Sequence, residues 1–209
     1  MAKQKVEKEI DTSTEEKIKE AARVVFHKKG FAATRTRDIA EEAGINLSLL
    51  NYYFRSKEKL FKIIMIETMG NFVQSMLSVL NDENSSLMEK VVQIAERYID
   101  TIKVQPEIPA FIVSETRNNV GNILEIIPIK EILNNSVLVK QYKEGVKKGT
   151  IKKVHYLHFI MNVLAMVVFP FIARPMLMGG SDINDKEFLM MMDERKKLIP
   201  IWIEAMLKA

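Results

Sequence analysis

The stretch "TRTRDIAEEAGINLSLLNYYF", residues 34–54, holds two short helical patterns separated by one glycine. Asp38 sits near the start of the first, where a carboxylate meets the positive end of the helix dipole, and Thr34 precedes it as a candidate N-cap. Gly44 follows the last turn. Glycine takes the left-handed backbone conformation without a Cβ clash, so it ends one helix and turns the chain sharply. Asn46 then stands ready to cap the second helix. Ala40, Ile45, Leu50 and Phe54 supply the apolar side chains that would pack this pair of helices. The outward positions carry small polar groups and tyrosines, a pattern of little use to a core helix.

Reading outward, the chain is helical almost end to end. Ile18, Ala21, Ala22, Val25 and Phe26 recur at i, i+3, i+4, i+7 and i+8, with Ser13 or Thr14 as the N-cap and Gly30 as the stop. Ser56 caps a fourth helix whose apolar face begins with Leu60, Ile63 and Ile64 and runs to Leu80. The polar loop "NDENSS" at 81–86 is a candidate boundary. Further helices are expected at 87–104, 107–117, 128–147, 154–178 and 184–207, with joints at Pro106, Pro128, Gly149 and residues 179–182. Pro170 and Pro200 are expected to kink the last two. Alternating apolar runs with hairpin turns are missing, so the fold class is all-α. The expected plan is a tail at 1–12, a helix-turn-helix domain at 13–60 with its motif at about 34–54, and a larger C-terminal helical domain at 61–209.

Composition narrows the function. The chain has no cysteine, which removes disulfides, thiolate metal sites and thiol nucleophiles and fits a reducing cytosol. The charged N-terminus lacks a secretory signal, and the apolar run from Phe159 to Ala173 contains Asn162 and Pro170 and is too short to span a membrane. Residues 1–62 hold 14 Lys and Arg against 10 Asp and Glu, whereas residues 63–209 hold 17 against 17, so the excess positive charge lies wholly in the first third. That asymmetry fits a nucleic-acid-facing end.

A helix pair with a tight turn can lay its second helix in the DNA major groove. Asn46 and Ser48 would address base edges, and Leu47 or Leu49 would pack on a thymine methyl. Thr34 and Arg35 at one helix start, Tyr52 and Tyr53 at the end of the next and Lys57 at the start of the fourth would hold phosphates, and Thr36 and Asn51 are further candidate DNA-binding residues. Similar packing also occurs in proteins that never touch DNA, and Tyr53 also fits a core position. Acid–base pairs, phosphate loops and cofactor motifs are not recognisable, so neither catalysis nor a cofactor is expected.

Residues 14–64 resemble the N-terminal domain of the TetR/AcrR family of transcriptional regulators, through "AARVVFHKKGF" (21–31), "AATRTRDIAEEAGI" (32–45) and "YYFRSKEKLF" (52–61). The family often has tyrosine where this chain has Asn51, followed by a variable residue where it has Tyr52. The resemblance implies a cytoplasmic, nucleoid-associated homodimer whose two heads fit successive major grooves of a palindromic double-stranded operator. It also implies a helical domain that binds a small-molecule inducer and releases the DNA, with the fourth helix as the lever. The helices at 154–178 and 184–207 would form a four-helix bundle with their copies. A helical DNA-binding or interaction protein without induction is the alternative.

For the ligand, Tyr98, Phe111, Arg117, His155, Phe159 and Asn162 place aromatic and polar groups on helices expected to surround a pocket, and thirteen methionines fit an adaptable interior for apolar or amphipathic molecules. His155 and His158 share a helix face, yet no carboxylate or cysteine stands near them in sequence, so they read as satisfied or pocket-lining side chains and no metal is expected.

Overall fold

Glycine, proline and capping side chains set most of the helix boundaries. The computed structural model describes the backbone of residues 2–118 and 128–208, and the side chains from residue 13 onward apart from residues 115 and 118. Its helices are α1 (Ala2–Ala33), α2 (Thr36–Glu42), α3 (Leu47–Tyr53), α4 (Lys57–Leu80), α5 (Leu87–Val104), α6 (Ile108–Asn118), α7 (Ile129–Asn135), α8 (Val137–Lys147), α9 (Tyr156–Ile172), α10 (Arg174–Gly179) and α11 (Asp185–Leu207). Helix α1 starts well before the expected cap at Ser13 or Thr14, so the backbone of the expected tail is helical, and the side chains of that tail lie outside the described residues. Gly30 leaves the helical region at φ 74°, ψ 171°, the break expected there.

Two expected helices are divided. The 128–147 segment breaks at Ser136, whose backbone is extended at ψ 147° and whose hydroxyl accepts from the Val139 N–H to start α8. The 154–178 segment breaks at Ala173, between Pro170 and Pro175. Pro175 occupies the first turn of α10, where a missing N–H costs nothing.

The residues form two compact units, each with its own core. The first holds residues up to Asn71 together with α6 from Phe111, and the second holds Phe72–Ala110 and the chain from Pro128. The division therefore falls inside α4, rather than at residue 60 or in the 81–86 loop, and α6 contributes to the first unit.

In the first unit, Ile18, Ala22 and Phe26 of α1 pack with Ile39 and Ala40 of α2, Leu50 of α3, and Leu60 and Ile64 of α4, all buried. Phe61 is the aromatic hub, with ring centroids 5.1 Å from Phe26, 4.7 Å from Phe31 and 6.1 Å from Phe111. Each such side chain, fully buried, contributes roughly 1.5–3 kcal/mol of transfer free energy. Nearby, His27 meets the Thr68 hydroxyl at 3.0 Å, and Glu67 accepts from Arg23 at 2.7 Å, so polar bonds as well as apolar packing join α1 to α4.

The second unit is built on α5 and α11 with α8 and α9 packed around them. Tyr98, Ile99, Tyr142, Phe159, Val163, Phe188, Ile199 and Ile203 fill its core, and the Tyr142 and Phe159 rings stack at 5.2 Å. Lys103 and Lys196 bridge α5 to α11 through Asp193 and Asp100. Among the described helices, α4 alone has the length and apolarity of a membrane span. Its apolar positions Leu60, Ile64, Met65, Met76 and Val79 are buried in helical cores instead.

Candidate nucleic-acid interface

The turn between α2 and α3 is closed by backbone bonds that suit glycine. Gly44 stands at φ 61°, its N–H donates to Glu41 at 3.0 Å, and the Ile45 N–H reaches back to Ala40 at 3.0 Å. Asn46 then starts α3, its Oδ1 accepting from the Leu49 N–H at 2.8 Å. Half of the Asn46 amide is thus committed to the cap, and its Nδ2 keeps the donors available to a base edge.

Helix α3 has seven residues, about 10 Å of length, which fits within a major groove of about 12 Å. Leu50 anchors it with 1% exposure, and Phe54 is buried just beyond its end. Asn46, Leu47, Ser48, Asn51 and Tyr52 face solvent, Tyr52 with 75% of its surface exposed. Tyr53 is half-buried, its ring edge-on to Tyr52 at 5.4 Å. The expected base-reading residues and Tyr52 therefore share one exposed surface.

Two expected phosphate ligands have other engagements. Thr34 is buried at 2% exposure, its hydroxyl donates to the Gly30 carbonyl at 2.7 Å and its N–H to Phe31, so neither group is directed at a backbone phosphate. The helix cap is also one residue later than expected, because Arg35 is the N-cap position of α2. Its N–H donates to Asp38 Oδ2 at 3.0 Å. The Lys57 ammonium donates to the carbonyls of Phe31 at 3.0 Å and Thr34 at 2.9 Å, leaving one of its three protons for other partners. Both residues brace the α1–α2 connection to α4.

Arg35 is exposed and Thr36 half-buried at the start of α2, and Ser56 Oγ accepts from the Lys59 N–H at the start of α4. The bond from the Arg35 N–H, followed by that with Lys29, holds the Asp38 carboxyl below its usual range. Its charge is thereby tied to the fold and partly neutralised. Arg37 and Arg55 are exposed cations that the sequence reading passed over. Arg37 lies in the first turn of α2, two residues after the N-cap Arg35. Arg55 follows the buried Phe54, where a chain turning outward exposes its next side chain.

The six ligand-pocket candidates are divided between the two units. Phe111 is buried in the first unit, 4.7 Å from the His27 ring, and Arg117 is exposed on the same helix. Tyr98 and Phe159 are core residues of the second unit, and burial raises the Tyr98 phenol well above its ordinary pKa. His155 is exposed and caps α9 through Nδ1, while Asn162 donates to the Met206 sulfur at 2.7 Å.

Comparison with known proteins agrees with this geometry. Residues 18–64 match the family model described as bacterial regulatory proteins, tetR family. Over 170 residues, 78% of this chain and 79% of the relative, the sequence is 23% identical to a probable HTH-type transcriptional regulator, YttP, of Bacillus subtilis. Over 81 residues it is 33% identical to the HTH-type transcriptional repressor BdcR of Escherichia coli, covering 37% of this chain and 41% of that protein. The fold is shared with the crystal structure of HlyIIR, a hemolysin II transcriptional regulator, at a TM-score of 0.63 and 23% identity, covering 95% of this chain and 98% of that one.

Proposed function

Since the chain is a TetR-family DNA-binding regulator, not an enzyme, we propose that it acts as a sequence-specific repressor that binds a palindromic operator as a homodimer and is released by a small-molecule inducer. The observation that carries this reading is the capped α3 helix, anchored by Leu50 and presenting Asn46, Leu47, Ser48, Asn51 and Tyr52 to solvent. Arg35, Arg37 and Arg55 supply positive charge for phosphates beside it. The name of the partial relative BdcR supports the repressor sign. The place of action is the bacterial cytoplasm, on the nucleoid.

A second copy is the occupant proposed for the apolar surface of α9 and α11. Met161, Leu164, Phe169 and Ile172 on α9, with Met191, Leu198, Ile201 and Trp202 on α11, are each more than a third exposed. Patches of this kind on a water-soluble fold favour association with another protein surface, and two helices from each copy make a four-helix bundle. The inducer is an apolar or amphipathic molecule held in the methionine-bearing C-terminal region, with Tyr98, Phe159, Asn162 and His155 as candidate contacts. It shifts operator affinity only by its differential affinity for the competent and incompetent states, with α4, which contributes to both units, as the continuous lever.

Selection of binding sites from random duplexes tests this reading. A palindromic consensus of two half-sites about one helical turn apart is expected. Affinity that varies with salt but not with sequence overturns it.

A further inference from the structure

Helix α9 contains Pro170, close to its C-terminal end. Proline has no backbone N–H, so the carbonyl four residues earlier, that of Met166, loses its intrahelical donor. Arg195 of α11 supplies the replacement. Its Nε and Nη2 both donate to the Met166 oxygen, at 3.2 and 2.7 Å. The guanidinium also lies 5.2 Å from the centre of the Trp202 ring.

Arg195 stands in the middle of an exposed apolar row, with Met191 four residues before it, Leu198 three after and Trp202 seven after. These spacings put all four on one helix face. A cation in such a row is costly to dehydrate unless its protons are used. Here two of them serve the carbonyl that Pro170 cannot.

We infer that Arg195 is a positioning residue for the surface through which two copies associate. By bonding Met166 it holds α9 against α11 about one turn before Phe169 and Ile172, and so sets where those side chains stand relative to Trp202. Its role is to shape the surface rather than to add one more contact. The inference rests on the dimer surface proposed above.

A double-mutant cycle tests it. Arg195→Met removes the donors, whereas Pro170→Ala restores a backbone N–H to Met166. Sedimentation of the full chain over a dilution series reads the dimer dissociation constant, and circular dichroism checks that each variant is helical. Arg195→Met is expected to weaken dimerisation about tenfold in the wild-type background, as befits loss of a charged hydrogen bond, and no more than about twofold in the Pro170→Ala background. If the methionine variant does not fold, Arg195→Lys, which cannot reproduce the paired donation, takes its place in the same cycle. Equal losses in both backgrounds, or unchanged dimerisation in the wild-type background, overturn the inference alone. A wild-type chain that stays monomeric overturns the dimer surface, and the inference with it.

Discussion

The Lys57 ammonium donates to the Thr34 carbonyl at 2.9 Å, tying the start of α4 to the connection between α1 and α2. The same nitrogen reaches the Phe31 carbonyl and sits 4.1 Å from the centre of the Phe31 ring. One lysine therefore links three parts of the DNA-binding head, and an effect of its removal on DNA affinity has two sources.

Lys57→Ala is expected to lower the unfolding free energy by about 1–2 kcal/mol, through two lost charge-assisted hydrogen bonds that leave carbonyls within reach of water. Affinity should fall by a similar factor on operator and random DNA, because the brace and the remaining proton act without regard to sequence. Denaturant unfolding and binding titrations on both duplexes check this. Loss of affinity with unchanged stability would mean that the lysine serves phosphate alone.

Asn46 and Ser48 should separate cap from readout. Asn46→Ala removes the acceptor for Leu49 and is expected to cost about 1 kcal/mol as well as relaxing base preference. Ser48→Ala, at an exposed position, should change stability by less than about 0.5 kcal/mol while relaxing preference at its own base pairs. Thermal melts paired with binding-site selection measure both. Identical specificity profiles for wild type and Ser48→Ala would remove serine from the readout.

Two glycines should respond with opposite signs. Gly44→Ala forces a Cβ into φ 61° and is expected to destabilise by about 1–2 kcal/mol, although the nearest atom to that Cβ, Lys17 Nζ, is 3.9 Å away. Gly70 lies within α4 with nothing inside 4 Å of an added Cβ, so Gly70→Ala should stabilise by up to about 1 kcal/mol through helix propensity. Melting temperatures of the two variants decide between backbone conformation and space as the cause.

The Asp38 carboxyl, lowered first by the Arg35 N–H and then by Lys29, gives the head an acid-sensitive cap. A depressed carboxylate stabilises above its unfolded pKa and loses that contribution as pH falls through the folded value. Wild type should therefore lose more stability than Asp38→Asn on acidification below the ordinary carboxylate range. Parallel pH–stability curves for the two proteins would show that this carboxylate is not linked to folding.

Much of the head was legible in advance because its signals are local. The left-handed Gly44, the Asn46 cap, the break at Gly30 and the apolar spacing of Ile18, Ala22 and Phe26 each act within a turn or two of the residue that carries them. Polar roles were harder to read. Thr34 and Lys57 have side chains that bind phosphate equally well in isolation, and only their packed neighbours decide that they brace the fold. In the larger domain, Ser136 and Ala173 divide what periodicity reads as single helices, since a run of apolar residues does not reveal a change of helix axis.

The sequence by itself determined an all-helical chain, a capped helix-turn-helix and the exposed character of Asn46, Ser48 and Tyr52, because capping, glycine conformation and 3.6-residue periodicity are short-range. Tertiary structure decided which donor meets which acceptor. Lys57 reaches Phe31 across 26 residues and Arg195 reaches Met166 across 29, distances over which residue type alone cannot specify a partner. Those pairings exist because packing brings helix ends and a proline-freed carbonyl within 3 Å or so of a cation, and dehydration then makes the bond worth forming.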